Sequence, residues 1–242
     1  MKTTLITGAG RGIGEEIAMK FASENHNLIL LVQKKKQYLN ILKRTKKFDI
    51  DVNFYVGDLK SQKFLNFLNK KINKIDNLVN NAALANTKHF LEVTNKQLDD
   101  ITNVNLKAIF KLSKIFAKKM VKKKIKGNII NISSQLGHMG AYNRTAYCMT
   151  KFGLEGLTKS MAMDLGKYGI RVNTVAPTKT IVNPEELIKT KKRLKIIKNK
   201  IPLKKFSTTK EIASIVYFLT TDSASSITGT SIISDGGWTA GK

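Results

Sequence analysis

Short apolar runs recur along the chain, and the stretches between them repeat their apolar residues at helical spacing. Strands of this kind suit a parallel sheet, because each is buried on both faces and must reach the next through a crossover helix. The pattern predicts strands near 3–7, 28–32, 52–56, 77–80, 127–132, 170–175 and 230–234. Helices are predicted near 13–24, 36–46, 61–71, 95–123, 145–168 and 209–220. With right-handed crossovers, the expected class is α/β: an open, doubly wound parallel sheet of about seven strands with helices on both faces.

The first strand runs straight into Thr7-Gly8-Ala9-Gly10-Arg11-Gly12-Ile13-Gly14, and the next helix begins near Ile13. Glycine permits the tight turn and the close backbone approach, so that the amides of a helix N-terminus can meet a pyrophosphate. The spacing is T-G-x-x-x-G-x-G; Ile13 stands where the third glycine of G-x-G-x-x-G would be. A Rossmann-type dinucleotide site follows from this turn in its strand and helix context.

Residues 1–242 fit a single domain, with 3 prolines, no internal repeat and no low-complexity stretch. The stretch 178–206 breaks the alternation and reads as a helical excursion over the sheet edge, placed to cover a substrate. No apolar run is long enough to span a bilayer, and the N-terminus enters a strand at once, leaving no room for a signal peptide. The expectation is a cytoplasmic protein without a membrane partner. A single cysteine, Cys148, excludes an intrachain disulfide and a cysteine metal site; it suits buried packing. His26, His89 and His138 have no metal-ligand spacing, so no metal is expected. His138 either borders the substrate or packs within its loop, and Gln135, Met139 and Arg144 share those alternatives.

A formal charge of +26 and a pI near 10.1 would ordinarily point to nucleic acid. Here the lysines are spread along nearly every predicted helix instead of forming one block. They read as solvated faces, with no specific nucleic-acid partner.

Tyr147 and Lys151 stand four residues apart in TAYCMTKFGLEGLTKSMA and so share one helix face. An ammonium held beside a phenol favours the phenolate and lowers its pKa, which makes such a tyrosine a candidate general acid or base.

With these motifs in place the chain resembles the short-chain dehydrogenase/reductase family over nearly its whole length. The resemblance is carried in order by the glycine turn, Asp58, Asn80-Asn81-Ala82-Ala83, Asn105 in NVN, Ser134 in NISS, Tyr147 with Lys151, and Asp235-Gly236-Gly237-Trp238. It implies an NAD(P)-dependent oxidoreductase that interconverts a secondary alcohol and a ketone, with Asn105, Ser134, Tyr147 and Lys151 as its catalytic tetrad. By this resemblance Tyr147 transfers the proton and Ser134, preferred to Ser133, binds the same substrate oxygen. Lys151 lowers the tyrosine pKa and grips the ribose, while Asn105 holds a water linking Lys151 to solvent. The resemblance also places Gly8, Arg11, Gly12, Ile13, Gly14, Asp58, Asn80 and Ala82 at the cofactor, with Asp58 on the adenine. Asn81 braces the central strands. Pro177 is followed by Thr178 where the family has glycine; Pro177 would shape the pocket and Thr180 touch the nicotinamide carboxamide. A homotetramer is implied, through helices 95–123 and 145–168, with Gly153, Leu154, Gly156 and Leu157 offering small and apolar groups.

An acid at the end of strand two would bind a free ribose 2′-hydroxyl. Here the strand ends in Val32 and Gln33 followed by three lysines, and Arg11 can add a further cation, so NADP is favoured over NAD. A small polar hydroxy or keto compound is the preferred substrate class, and reduction of a 3-oxoacyl thioester on an acyl carrier protein is the alternative. A non-catalytic cofactor sensor or nucleic-acid-binding protein has no need for all four tetrad residues together.

Overall fold

The computed structural model describes residues 1–85, 87–180 and 191–241. Its strands are β1 (Thr3–Thr7), β2 (Asn27–Val32), β3 (Val52–Val56), β4 (Asn77–Asn80), β5 (Asn128–Ile132), β6 (Arg171–Pro177) and β7 (Ser231–Ser234). They form one sheet in the order β3-β2-β1-β4-β5-β6-β7, every neighbouring pair parallel. The helices are α1 (Gly12–Ser23), α2 (Lys36–Thr45), α3 (Gln62–Lys71), α4 (Asn95–Thr102), α5 (Ile109–Lys122), α6 (Thr145–Gly166), α7 (Lys191–Asn199) and α8 (Thr209–Phe218). The chain winds outward from β1 to β3, returns to β4 and continues the other way. A crevice therefore opens at the carboxyl ends of β1 and β4, where ligands bind in such sheets.

Alternation along each strand sorts the core into two layers. Leu5, Ile29, Leu78 and Ile129 face α3 and α5, packing with Leu65, Leu68, Phe116 and Met120. Their neighbours Ile6, Leu30, Val79 and Ile130 face α1 and α8, packing with Ile17, Phe21, Ile212 and Val216. Burial of each such side chain stabilises the fold by about 1.5–3 kcal/mol, and a one-residue slip would move every one to the wrong layer.

The continuous helix expected over 95–123 is interrupted. Thr94 caps α4 in a reciprocal box with Gln97, and the chain then widens into a π-helical turn over Asn103–Ala108 before α5. Within that turn the fully buried Asn105 bonds the backbone of Leu84 and the hydroxyl of Thr150 on α6. In the excursion, residues 181–190 lie outside the described residues. After α7 the chain is pinned back to the sheet, with Ile201 fully buried and the Leu203 amide donating to Gly236 O at 3.1 Å. Among the described residues, no helix is long and apolar enough to cross a membrane and no side-chain cluster could hold a metal ion.

Candidate active site

The turn from β1 into α1 is closed against the end of β4. Gly8 has φ +63°, and a Cβ there would stand 2.9 Å from Ala82 Cα; at Gly14 one would stand 2.4 Å from Gly8 O. No side chain larger than hydrogen fits at either position. Asn81 ties the turn down, its Nδ2 donating to Thr7 O at 3.0 Å and Gly8 O at 3.1 Å. The Thr7 hydroxyl in turn accepts from the amides of Asn81 and Ala82, both at 2.9 Å. Helix α1 starts at Gly12 with no side-chain cap from Arg11, so its first-turn amides are left facing outward.

Beside this turn lies a cleft of about 280 Å³, walled by Gly8, Arg11, Val32, Gln33, Asp58 and Ala82. Gln37 of α2 closes its rim: the side chain lies over Gly10, where a Cβ would come within 2.7 Å of Gln37 Cβ. Gln37 Oε1 also accepts from the Lys34 amide at 3.0 Å. Asp58 is held at the cleft by its own turn, accepting from the Lys60 amide at 2.9 Å. Gly12, Ile13 and Gly14 build the start of α1 beneath the cleft instead of walling it.

Asn80 closes β4 beside the cleft. Its buried side chain points away from the cleft and donates to Ser113 Oγ at 3.0 Å and Asn131 Oδ1 at 2.8 Å. Asn131 continues the ladder to Thr158 on α6 at 2.8 Å. Its Nδ2 thus bonds β4 to β5 and α5, while the buried Oδ1 has no hydrogen-bond partner among the described residues. Pro177 and Thr180 stand at the carboxyl end of β6, outside the walls of the cleft. Pro177 pairs with Ser234, and the Thr180 hydroxyl donates to Thr178 O at 3.1 Å. The unexpected group there is Thr178, whose buried hydroxyl has no hydrogen-bond partner among the described residues.

The tetrad residues converge where β5 ends. Ser134 follows the strand, buried, with Oγ accepting from the Leu136 amide at 3.1 Å. Tyr147 stands on the first turn of α6, close enough to Ser134 for a hydrogen bond. Burial pushes the Tyr147 phenol above its ordinary pKa, while the Ser134 hydroxyl and the Arg144 charge pull the other way. Lys151, one turn further along, is 2 % exposed, with Nζ 5.5 Å from the Tyr147 ring centre and donating to Ile132 O at 2.8 Å. Burial pushes its pKa down to about 8, opposed by the carboxylate of Glu155.

The expected lowering of the tyrosine by Lys151 is therefore reversed in net direction. The half-buried phenol is partly desolvated, and the ammonium is turned to a strand carbonyl. Asn105 sits behind them with both amide hydrogens used, at 2.9 Å to Leu84 O and 3.1 Å to Thr150 Oγ1. A water held by its side chain would have to use the remaining lone pair of Oδ1.

The loop from 135 to 144 contributes contacts of its own around the start of α6. His138 is an exposed residue whose Nε2 lies 3.2 Å from Glu155 Oε1 and 3.0 Å from Ser231 Oγ. Gln135 is buried, and Met139 O accepts from the Cys148 thiol at 3.9 Å. Burial raises the Cys148 pKa, which suits packing rather than reactivity. Arg144 is the member of this group whose charge acts on Tyr147.

A switch-point crevice, an uncapped helix start behind a glycine turn, and a serine, tyrosine and lysine beside them define a dinucleotide-dependent α/β enzyme. A family model described as enoyl-(acyl carrier protein) reductase matches residues 8–239. Mouse (Mus musculus) L-xylulose reductase is 32% identical over 242 residues, covering 99% of this chain and 97% of its own. The 3-oxoacyl-[acyl-carrier-protein] reductase of Buchnera aphidicola subsp. Baizongia pistaciae is 34% identical over 250 residues, covering 98% of each. Among solved structures, 4-hydroxyisoleucine dehydrogenase complexed with NADH superposes with a TM-score of 0.92 at 32% identity over 100% of both chains. A candidate NAD(P)-dependent gluconate 5-dehydrogenase from Beutenbergia cavernae, with NADP at low occupancy, gives 0.91 at 27% identity over 99% of this chain and 97% of that one. The chain belongs to the short-chain dehydrogenase/reductase family and is an NAD(P)-dependent oxidoreductase acting between alcohols and ketones.

Proposed function

We propose that the chain reduces the ketone of a small polar compound, or oxidises the matching alcohol, with Tyr147 as general acid or base. One observation carries this reading: Ser134, Tyr147 and Lys151 meet at the carboxyl end of β5, next to the glycine-walled cleft. With its phenol raised by burial, Tyr147 is protonated at neutral pH and ready to donate to an alkoxide. Ser134 hydrogen-bonds the same oxygen and orients it. The Lys151 ammonium supplies the positive charge that steadies a phenolate once the proton has left, and Asn105 fixes the loop that walls the cleft.

The residues present fit a nicotinamide dinucleotide. The uncapped first turn of α1 offers amides to a pyrophosphate, Asp58 and Ala82 stand on the cleft wall, and the Thr178 hydroxyl awaits a partner at the end of β6. When bound, the nicotinamide supplies or accepts the hydride. NADP is the favoured form, since Arg11 and Gln33 wall the cleft and the exposed Lys34 and Lys35 follow.

Assembly as a homotetramer is supported by an exposed apolar face on α5 and α6 made of Phe110, Met149, Phe152 and Met163. The face differs from the one expected, because Leu154 is fully buried in the chain's own core and Leu157 half-buried. Gly153 and Gly156 do lie on the surface. Reduction of a 3-oxoacyl thioester is the second reading, favoured by the likeness to the Buchnera reductase. A screen of NADPH- and NADH-linked turnover against ketones, alcohols and a 3-oxoacyl thioester tests both. Turnover of a small keto compound is the expected result; thioester-only turnover selects the second reading, and no turnover with any of them rejects both.

A further inference from the structure

Glu155 is a buried acid that the chemistry above leaves unused. It lies on α6 one turn beyond Lys151 and is 8% exposed. Three elements hold its carboxylate. Thr174 of β6 donates to Oε2 at 2.7 Å, Ser231 of β7 donates to Oε1 at 3.4 Å, and His138 of the loop after β5 places Nε2 3.2 Å from Oε1. Burying an ionised carboxylate is costly unless it is hydrogen-bonded and paired, and this one is supported on every side.

Among the described residues, the titratable and charged groups around this acid and its lysine are few. Lys151 and Tyr147 share its helix, His138 faces it from the loop, and Arg144 and Cys148 stand at the start of α6. The residues that β6 and β7 contribute are neutral hydroxyls. Lys151 itself donates to the neutral carbonyl of Ile132, so Glu155 is the anion whose field reaches it.

We propose that Glu155 is a positioning residue: a carboxylate clamped by Thr174, Ser231 and His138 that keeps the buried Lys151 ammonium charged beside Tyr147. The proposal rests on the reading of Lys151 as the ammonium that steadies the Tyr147 phenolate. Burial alone drives a lysine toward its neutral form, and a neutral amine cannot stabilise that phenolate.

The test is a titration of Lys151 in protein labelled at lysine Cε with carbon-13, its resonance assigned by disappearance in Lys151→Arg. The native midpoint is expected near 8. In Glu155→Gln it is expected to fall by at least about half a pH unit, since an opposing charge has been removed. In His138→Gln, which keeps a donor to Oε1, it is expected to stay in place. An unchanged midpoint in Glu155→Gln overturns the proposal, as does a fall of the same size in His138→Gln. Should Glu155→Gln fail to fold, Glu155→Asp is read in its place: a withdrawn carboxylate should lower the midpoint, and an unmoved one overturns the proposal. No turnover enters this measurement. The alkaline limb of kcat/KM is recorded alongside; a midpoint that moves while the limb stays fixed counts against the catalytic reading of Lys151 and leaves the charge role of Glu155 standing.

Discussion

Asn105 grips Leu84 by both of its backbone groups: Oδ1 accepts the Leu84 N–H at 2.8 Å, and Nδ2 donates to the Leu84 carbonyl at 2.9 Å. A side chain here copies the pairing of a neighbouring strand, and the π-helical turn over Asn103–Ala108 is what presents it. Leu84 is part of the cleft wall, so the same bonds that join helix to loop also shape the cofactor site.

Asn105→Ala is expected to lose stability and cofactor affinity together. The Leu84 groups are part-buried, so each one left unpaired costs at most about 1–3 kcal/mol. In a chain of this size, at about 2–4 °C per kcal/mol, that corresponds to a melting temperature lower by about 2–12 °C. Thermal melts and NADPH titration on the same preparation check it; a variant that melts like the native protein and binds cofactor normally would refute the brace.

Tyr147→Phe removes one hydroxyl and little shape. Turnover is expected to fall by about 10²–10⁴, the usual contribution of general acid-base catalysis, with cofactor affinity nearly unchanged. Retention of more than about a tenth of the native rate would sink the assignment of the proton to Tyr147.

Much of this was readable from residue order because it depends on local period and local chemistry. The two-layer core follows from alternation in β1, β2, β4 and β5, and the glycine turn from the steric need at Gly8 and Gly14. Tyr147 and Lys151 share a helix face by spacing alone. What depended on partners far along the chain was hidden. The apolar period runs unbroken through 95–123, so nothing local marks a π turn whose Asn105 bonds the distant Leu84. The bonds from the Asn80 amide to Ser113 and Asn131 likewise depend on residues far along the chain. Leu154 reads as surface by its small neighbours, yet the turn of α6 aims it inward. Glu155 carried no motif beyond being an acid four places after Lys151, and Thr178 showed only as a departure from the family's glycine.

The depressed Lys151 pKa makes stability depend on pH in a defined direction. Unfolded, the lysine binds its proton up to about 10.4. Folded, it releases the proton near 8. Between these values the unfolded state holds more proton, so stability rises with pH across the window, by the uptake of at most about one proton on unfolding. Below pH 8 the contribution is flat. Lys151→Met should remove this slope, and the difference between the two denaturation series from pH 7 to pH 10.5 isolates it from the opposing titration of Cys148. Parallel series would show that Lys151 is not held in the folded state as described.

The cofactor form is the sharpest test of the cleft. Its β2 wall ends in Val32 and Gln33 with no acid, and Arg11 stands opposite at the start of α1. A ribose 2′-phosphate would meet the guanidinium and the exposed Lys34, whereas a free 2′-hydroxyl would find no carboxylate to bind at that strand end. NADPH is therefore expected to bind more tightly than NADH. Val32→Asp should reverse the order, repelling the phosphate and offering the hydroxyl a partner, with each 1.4 kcal/mol worth about tenfold in the ratio of affinities. Arg11→Ala should weaken NADPH and leave NADH nearly unaffected, because its charge has no target on the unphosphorylated ribose. Fluorescence titration of both cofactors against the native protein and the two variants decides it. Equal or tighter NADH binding by the native protein would mean that the lysines after β2 serve only the solvated surface, and that Arg11 points its charge elsewhere.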